Sequence, residues 1–324
     1  MASRPRTRRL LRTLLAALVA SAVAVPVSGA ARPSAVPAPA PVPLAPLRAA
    51  TAGKLAGRYA VQRAGIRAAE RMAARHGDLA RAAALRAMAS PGRQFLAFDG
   101  RDGGRTVEVF GDLARAGRIA VLVPGSDTGL DTYGRLQAGA VALQRRLGDR
   151  AAVIAWLGYE TPGTMSADVV SPARATAAAP QLRSFIEQLR STVGGGVRIT
   201  VLCHSYGSVV CGRAATGLAV ADIVLYGSPG AGADSVAGLH TRARVWAGRG
   251  DDDWVAEVPH VRLQLPFGEV GLGADPVSRG FGARLFAAGA GGHSDYLRPG
   301  SLSLANLARI VNGQAPVGRV HRAV

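Results

Sequence analysis

The chain has 324 residues, 48% of them hydrophobic, and carries 39 Lys plus Arg against 21 Asp plus Glu, a formal net charge of +18. That length is enough for one large domain with a full core. The charge excludes less than it suggests: five of the arginines (Arg4, Arg6, Arg8, Arg9 and Arg12) crowd the first twelve residues. What is left is spread over the body without any nucleic-acid-binding motif, so a nucleic-acid partner is not expected, and the charge is consistent with a weak association with an anionic envelope surface.

Those five arginines form the basic start of a leader expected over 1–30. An apolar run over 14–27 follows, then the small-residue cleavage signal Ser28-Gly29-Ala30. This predicts a protein that is secreted or held in the cell envelope. The Sec route is expected, and Thr7-Arg8-Arg9-Leu10-Leu11 leaves the twin-arginine route open. The apolar run is short for a membrane span and contains Pro26, which argues against an uncleaved anchor.

The Pro/Ala-rich stretch 31–50 reads as an extended, flexible linker. A helical hairpin is expected over 51–92. Its first helix, 51–75, is stopped by His76-Gly77, and Asp78 caps the second, 79–89, which ends at Ser90-Pro91-Gly92. Arg63, Arg67, Arg71 and Arg75 recur every fourth residue and so share one helix face, either solvated or turned to something acidic.

From residue 93 to 315 strand-like and helix-like segments alternate, with a short tail over 316–324. Segments 94–98 and 105–110 read as an antiparallel pair, and 118–123, 151–156, 198–202, 222–226 and 243–247 as short apolar strands. Helix-capable stretches lie between them at 133–147, 181–192 and 208–218. This is the pattern of an α/β-hydrolase fold: a mainly parallel sheet with helices on both faces, here preceded by a helical hairpin. Ligands in such sheets bind at the carboxyl ends of the strands.

Four stretches sit at those ends. Cys203-His204-Ser205-Tyr206-Gly207 follows an apolar run and precedes a helix-compatible one, the layout of a nucleophile elbow with Cys in place of the first glycine. Pro124-Gly125-Ser126 follows another strand, so the backbone N–H groups of Ser126 and Tyr206 are the candidate oxyanion donors. Among Asp251, Asp252 and Asp253, Asp253 is the preferred acid because Trp254 and Val255 can anchor it; Asp252 is the alternative. His293 follows a Gly-rich loop and completes the order Ser, Asp, His. His204 is expected to point away from Ser205 and to be structural. Tyr159, Met165 and Trp254 are candidate pocket residues.

The two cysteines, Cys203 and Cys211, stand at the strand end and one turn into the helix. A disulfide between them is permitted in an oxidising compartment, and two buried free thiols are the alternative. Zinc and calcium spacings are missing, and no metal or cofactor is expected.

The stretches FLAFDGRDGGR, GDLARAGRIAVLVPGSDTGLDTY, WLGYETP, CHSYGS, GADPVSRGFGARLF and GHSDYL together resemble a bacterial family of α/β-hydrolases classified as a domain of unknown function. The resemblance spans about 94–313. It implies a hydrolase fold with Ser205 as nucleophile, His293 as base and Asp253 as acid, and it implies no particular substrate. The expectation is therefore an exported serine hydrolase that cleaves a small-molecule or lipid-like acyl ester, less readily an amide or thioester. The alternatives are a non-catalytic envelope-binding protein of the same fold and an acyltransferase using the same three residues.

Overall fold

The computed structural model describes residues 36–265 and 268–318. The expected leader, the first residues of the linker and the chain beyond 318 lie outside the described residues. Among the described residues no helix is long and apolar enough to cross a membrane.

Eight strands form one sheet in the order β1-β2-β4-β3-β5-β6-β7-β10. They are β1 (Gln94–Asp99), β2 (Arg105–Phe110), β3 (Arg118–Val123), β4 (Ala151–Leu157), β5 (Arg198–His204), β6 (Asp222–Tyr226), β7 (Arg244–Gly248) and β10 (Arg284–Leu285). β2 runs against both of its neighbours, and the pairs from β4 through β10 are parallel. A separate two-stranded ribbon pairs β8 (Leu263–Leu265) with β9 (Gly268–Val270).

The strands are apolar on both faces because helices cover both, and the two-residue period sorts their side chains. Ile119, Val121 and Val123 of β3 join one core cluster with α4 (Ala173–Val193) and α5 (Gly207–Ala214). Ala120 and Leu122 join the other, with α1 (Ala52–His76), α2 (Leu79–Met88), α3 (Gly134–Leu147) and α6 (Leu302–Val311).

The hairpin α1–α2 therefore shares the core of the sheet: Ile66, Ala69 and Leu85 are buried beside Phe95 and Phe98 of β1. Its turn forms as the residues dictate. Gly77 takes the left-handed conformation at φ 88°, and the Asp78 carboxylate accepts a hydrogen bond from Arg81 N–H at 2.9 Å. The arginine face expected on α1 is mixed. Arg67, Arg71 and Arg75 are exposed, whereas Arg63 is partly buried and donates to Arg93 O at 3.2 Å.

Three expectations need correction. The linker residues from 36 to 50 lack helix and strand but are not free: Thr192 donates to Leu47 O at 2.7 Å, and Ala50 N–H donates to Thr192 O at 3.0 Å. Proline removes donors but leaves carbonyls and apolar rings that the body can hold. Helix α4 begins eight residues before the expected 181 and carries Pro180 inside it, because Ala175, Ala178 and Ala179 have high helix propensity and are buried. Helix α5 stops at Ala214, short of 218, as the chain turns at Gly217 (φ 84°).

Candidate active site

The strand order reverses at β3 and β5: the chain leaves β3 towards β4 on one side and leaves β5 towards β6 on the other. The crevice at the carboxyl ends of these two adjacent strands is the natural place for a ligand, and the loops after them carry Gly125 and Ser205.

Ser205 has φ 52°, a left-handed conformation that a non-glycine residue seldom adopts, and is 8% exposed. The turn is pinned by Ser205 N–H donating to Tyr226 O at 3.1 Å and by Ser208 N–H donating to Ser205 O at 2.9 Å. Its close neighbours are glycines for a steric reason. A Cβ on Gly207 would come within 2.5 Å of Val123 O, and one on Gly125 within 2.6 Å of Ser205 Cβ. Cys203 is fully buried at the end of β5 and is bonded to Cys211 on α5, with Cα atoms 6.4 Å apart.

Ser205 Oγ lies 2.9 Å from His293 Nε2, and His293 Nδ1 lies 2.9 Å from Asp253 Oδ1. Asp253 is 2% exposed, whereas Asp251 and Asp252 face solvent. Its carboxylate also accepts from Val255 N–H at 2.9 Å and from the Tyr296 hydroxyl, which in turn accepts from Gly250 N–H at 2.9 Å. Burial pushes the Asp253 carboxyl up, but the hydrogen bonds from His293, Tyr296 and Val255 outweigh it and hold the group below its ordinary range. The acid is thus ionised and directed at the imidazole.

The backbone N–H groups of Ser126 and Tyr206 have no acceptor among the described residues. The Ser126 hydroxyl is buried without a partner as well. The loop bearing Ser126 is held from the segment after β4: Tyr159 donates to Pro124 O at 2.7 Å, Asp127 N–H donates to Pro162 O at 3.0 Å, and Asp127 accepts from Thr164 N–H at 3.1 Å. The unpaired Ser126 N–H on this anchored loop and the Tyr206 N–H on the turn after β5 are donors suited to developing negative charge.

A cavity of about 650 Å³ opens on the His293 side of the site; Gly125, Thr128, His204, Tyr226, His293 and Tyr296 are among the residues lining it, and Ser205, Ser126 and Tyr206 are not. None of the three candidate pocket residues is among those lining it. Tyr159 is core, Met165 is 98% exposed, and Trp254, 51% exposed, lies over the His293 ring with centroids 4.7 Å apart.

His204 stands beside the site. It does leave β5 on the face opposite Cys203, but the loop after β10 arrives on that face. His204 Nε2 therefore donates to His293 O at 2.8 Å, and the two rings stand 4.7 Å apart. Burial and the neighbouring His293 push its imidazole down to about 3, so it stays neutral where a histidine base works. Tyr296 was not foreseen at the site, nor was the His293 carbonyl as the partner of His204. The signals were present, since Tyr296 lies one turn after His293 and His204 adjoins Ser205.

His204→Phe keeps a flat ring but leaves His293 O without its donor. The expected result is a kcat about tenfold lower with KM little changed. The acid limb of the pH–rate profile between about pH 5 and 7 should keep unit slope in both proteins, because His204 takes up essentially no proton there. A limb steeper than one proton in wild type would show that His204 titrates with the base.

An eight-stranded sheet with only β2 reversed, a strained serine above its centre and a histidine reaching that serine define an α/β-hydrolase. Comparison with known proteins agrees: residues 99–263, just over half of the chain, match the family model described as alpha/beta hydrolase, and the chain belongs to that family. An uncharacterized protein of Mycobacterium tuberculosis (strain ATCC 25618 / H37Rv) is 30% identical over 257 residues, covering 67% of this chain and 38% of its own. This chain thus spans less than two-fifths of that relative. An uncharacterized protein of Mycobacterium bovis (strain ATCC BAA-935 / AF2122/97) is 35% identical over 177 residues, 48% of this chain and 66% of its own. Among solved structures, esterase PE8 covers 63% of this chain and 96% of its own at 17% identity and TM-score 0.41. An α/β serine hydrolase from Xanthomonas campestris covers 71% and 98% at 18% identity and TM-score 0.40.

Proposed function

We propose that the protein is a serine hydrolase that cleaves a carboxylic ester through an acyl-enzyme. The observation that carries this reading is the hydrogen-bonded line from Ser205 Oγ through His293 to Asp253, beside two unpaired backbone N–H groups. Ser205 Oγ attacks the carbonyl carbon while its proton passes to His293 Nε2; Asp253 holds the imidazole and balances its positive charge. The N–H groups of Ser126 and Tyr206 receive the oxyanion. The tetrahedral intermediate then breaks its bond to the alcohol oxygen, which takes the proton from His293. Water, deprotonated by His293, repeats the attack and releases the acid and free Ser205. Among the described residues no three His, Cys, Asp or Glu side chains gather to hold a metal ion, and no step in this sequence calls for one.

Esters are favoured over amides because an alcohol leaves more readily than an amine. Export fits the bonded cysteine pair, since disulfides persist in oxidising compartments. The test is a series of p-nitrophenyl esters of graded chain length with wild type: saturable hydrolysis of at least one member, at least about 10³-fold above the rate without enzyme, is expected. No hydrolysis of any member would favour the non-catalytic reading. Product transfer to an added alcohol, at the expense of free acid, would favour the acyltransferase.

A further inference from the structure

The cavity beside His293 does not end there. Gly134, Arg135, Gly139, Ser294 and Leu297 also line a second groove of about 790 Å³ that runs outward between α3 and the loop following His293. Along α3, Arg135, Gly139, Ala142 and Arg146 are spaced four, three and four residues apart, so they share one face over about 16 Å of helix.

The small residues make the floor. A Cβ on Gly139 would come within 2.6 Å of Leu297 Cδ1, so Leu297 sits directly on the helix there, and Leu304 of α6 adds further apolar surface. The rim is cationic: Arg135, Arg145, Arg146 and Arg298 all line the groove and are exposed.

The carboxylates nearby do not neutralise this rim. Asp131 is paired with Arg81 at 2.5 and 2.9 Å, and Asp127, which keeps its charge and is held by Thr164, lines the inner cavity but not the outer groove. Asp295 accepts from Gly292 N–H at 2.9 Å and stands 4.0 Å from Arg298. Among the described residues Arg135, Arg145 and Arg146 form no ion pair. An apolar floor with three uncompensated guanidinium groups at its edge, joined to the cavity at the base, fits one chemistry.

We propose that this groove holds an anionic amphiphile, so that the ester cleaved at Ser205 carries a phosphate-, sulfate- or carboxylate-type anion at the end of an apolar segment. The inference rests on the hydrolase reading for its last clause only. The groove and its charge stand independently of catalysis. Arginine suits such an anion because its planar fork can bind two oxygens at once.

The full chain, titrated calorimetrically with monododecyl phosphate below its micelle concentration, tests the binding. Uncharged 1-O-dodecylglycerol and inorganic phosphate serve as the two half-probes. Wild type is expected to bind dodecyl phosphate at least about tenfold tighter than either, and Arg145→Gln/Arg146→Gln to lose about tenfold for dodecyl phosphate while binding dodecylglycerol as wild type does. The equal charge change Arg67→Gln/Arg71→Gln, on the exposed face of α1, should leave both affinities alone.

Equal losses in the two double variants would reduce the effect to overall charge and overturn the proposal. So would inorganic phosphate binding as tightly as dodecyl phosphate, because the apolar floor would then be idle. Hydrolysis is read separately on p-nitrophenyl octanoate. A protein that binds dodecyl phosphate through Arg145 and Arg146 but cleaves no ester would keep the groove and lose the catalytic reading. A protein that cleaves the ester but shows no preference for the anionic probe would lose the groove and keep the reading. Where ester turnover is found, p-nitrophenyl esters with a carboxylate at the end of the acyl chain, set against phosphate-bearing alcohol esters, show which side of the scissile bond carries the anion.

Discussion

Ser205→Ala is expected to lower kcat by about 10⁴-fold or more with KM changed little, and His293→Ala to lower it comparably. The double variant should be no worse than either single one. The reason is that in the proposed mechanism Ser205 Oγ and His293 Nε2, 2.9 Å apart, act in one event: without the base the hydroxyl keeps its proton, and without the hydroxyl the base has nothing to activate. The unpaired N–H groups of Ser126 and Tyr206 survive both changes, so a residual rate above that in water should persist. Multiplying losses in the double variant would mean that the two residues serve separate steps, and the proposed sequence would be wrong.

Asp253→Asn is expected to cost about 10³-fold in kcat while the protein remains folded. The native carboxylate accepts from three donors, His293 Nδ1–H, Val255 N–H and Tyr296 O–H, and an amide has only one oxygen to offer. With that oxygen at the position shared by His293 and Val255, the NH₂ meets the Tyr296 hydroxyl donor to donor. Flipped, the NH₂ faces His293 and favours the tautomer with its proton on Nε2, which cannot accept from Ser205. Either arrangement weakens the base. Steady-state kinetics together with a thermal melt would separate this from unfolding, and a variant within about threefold of wild type would show that Asp253 is not what orients His293.

The sheet was largely legible because its strands are short β-branched runs with abrupt ends: 118–123, 222–226 and 105–110 were bounded to the residue. Ser205 and Asp253 stood out because each follows a strand near its carboxyl end, and His293 because it follows a Gly-rich loop after both, in the order this fold uses. What could not be read was decided by tertiary contact. β10 is two residues long and exists by pairing with β7, so it carries no local pattern. The linker's seat on the body depends on Thr192, about 145 residues away in the chain. His204 was placed on the correct face of β5, but its partner is a backbone carbonyl of a loop that reaches that face only after β10, and alternation along one strand says nothing about what arrives from elsewhere.

The central claim is that Ser205 is the nucleophile. Treating the protein with a fluorophosphonate and mapping the adduct by peptide mass spectrometry tests it most directly. The account predicts one phosphonate on Ser205, lost in Ser205→Ala and much slower to form in His293→Ala. Labelling of wild type and Ser205→Ala to the same extent, or an adduct on another residue, would contradict it.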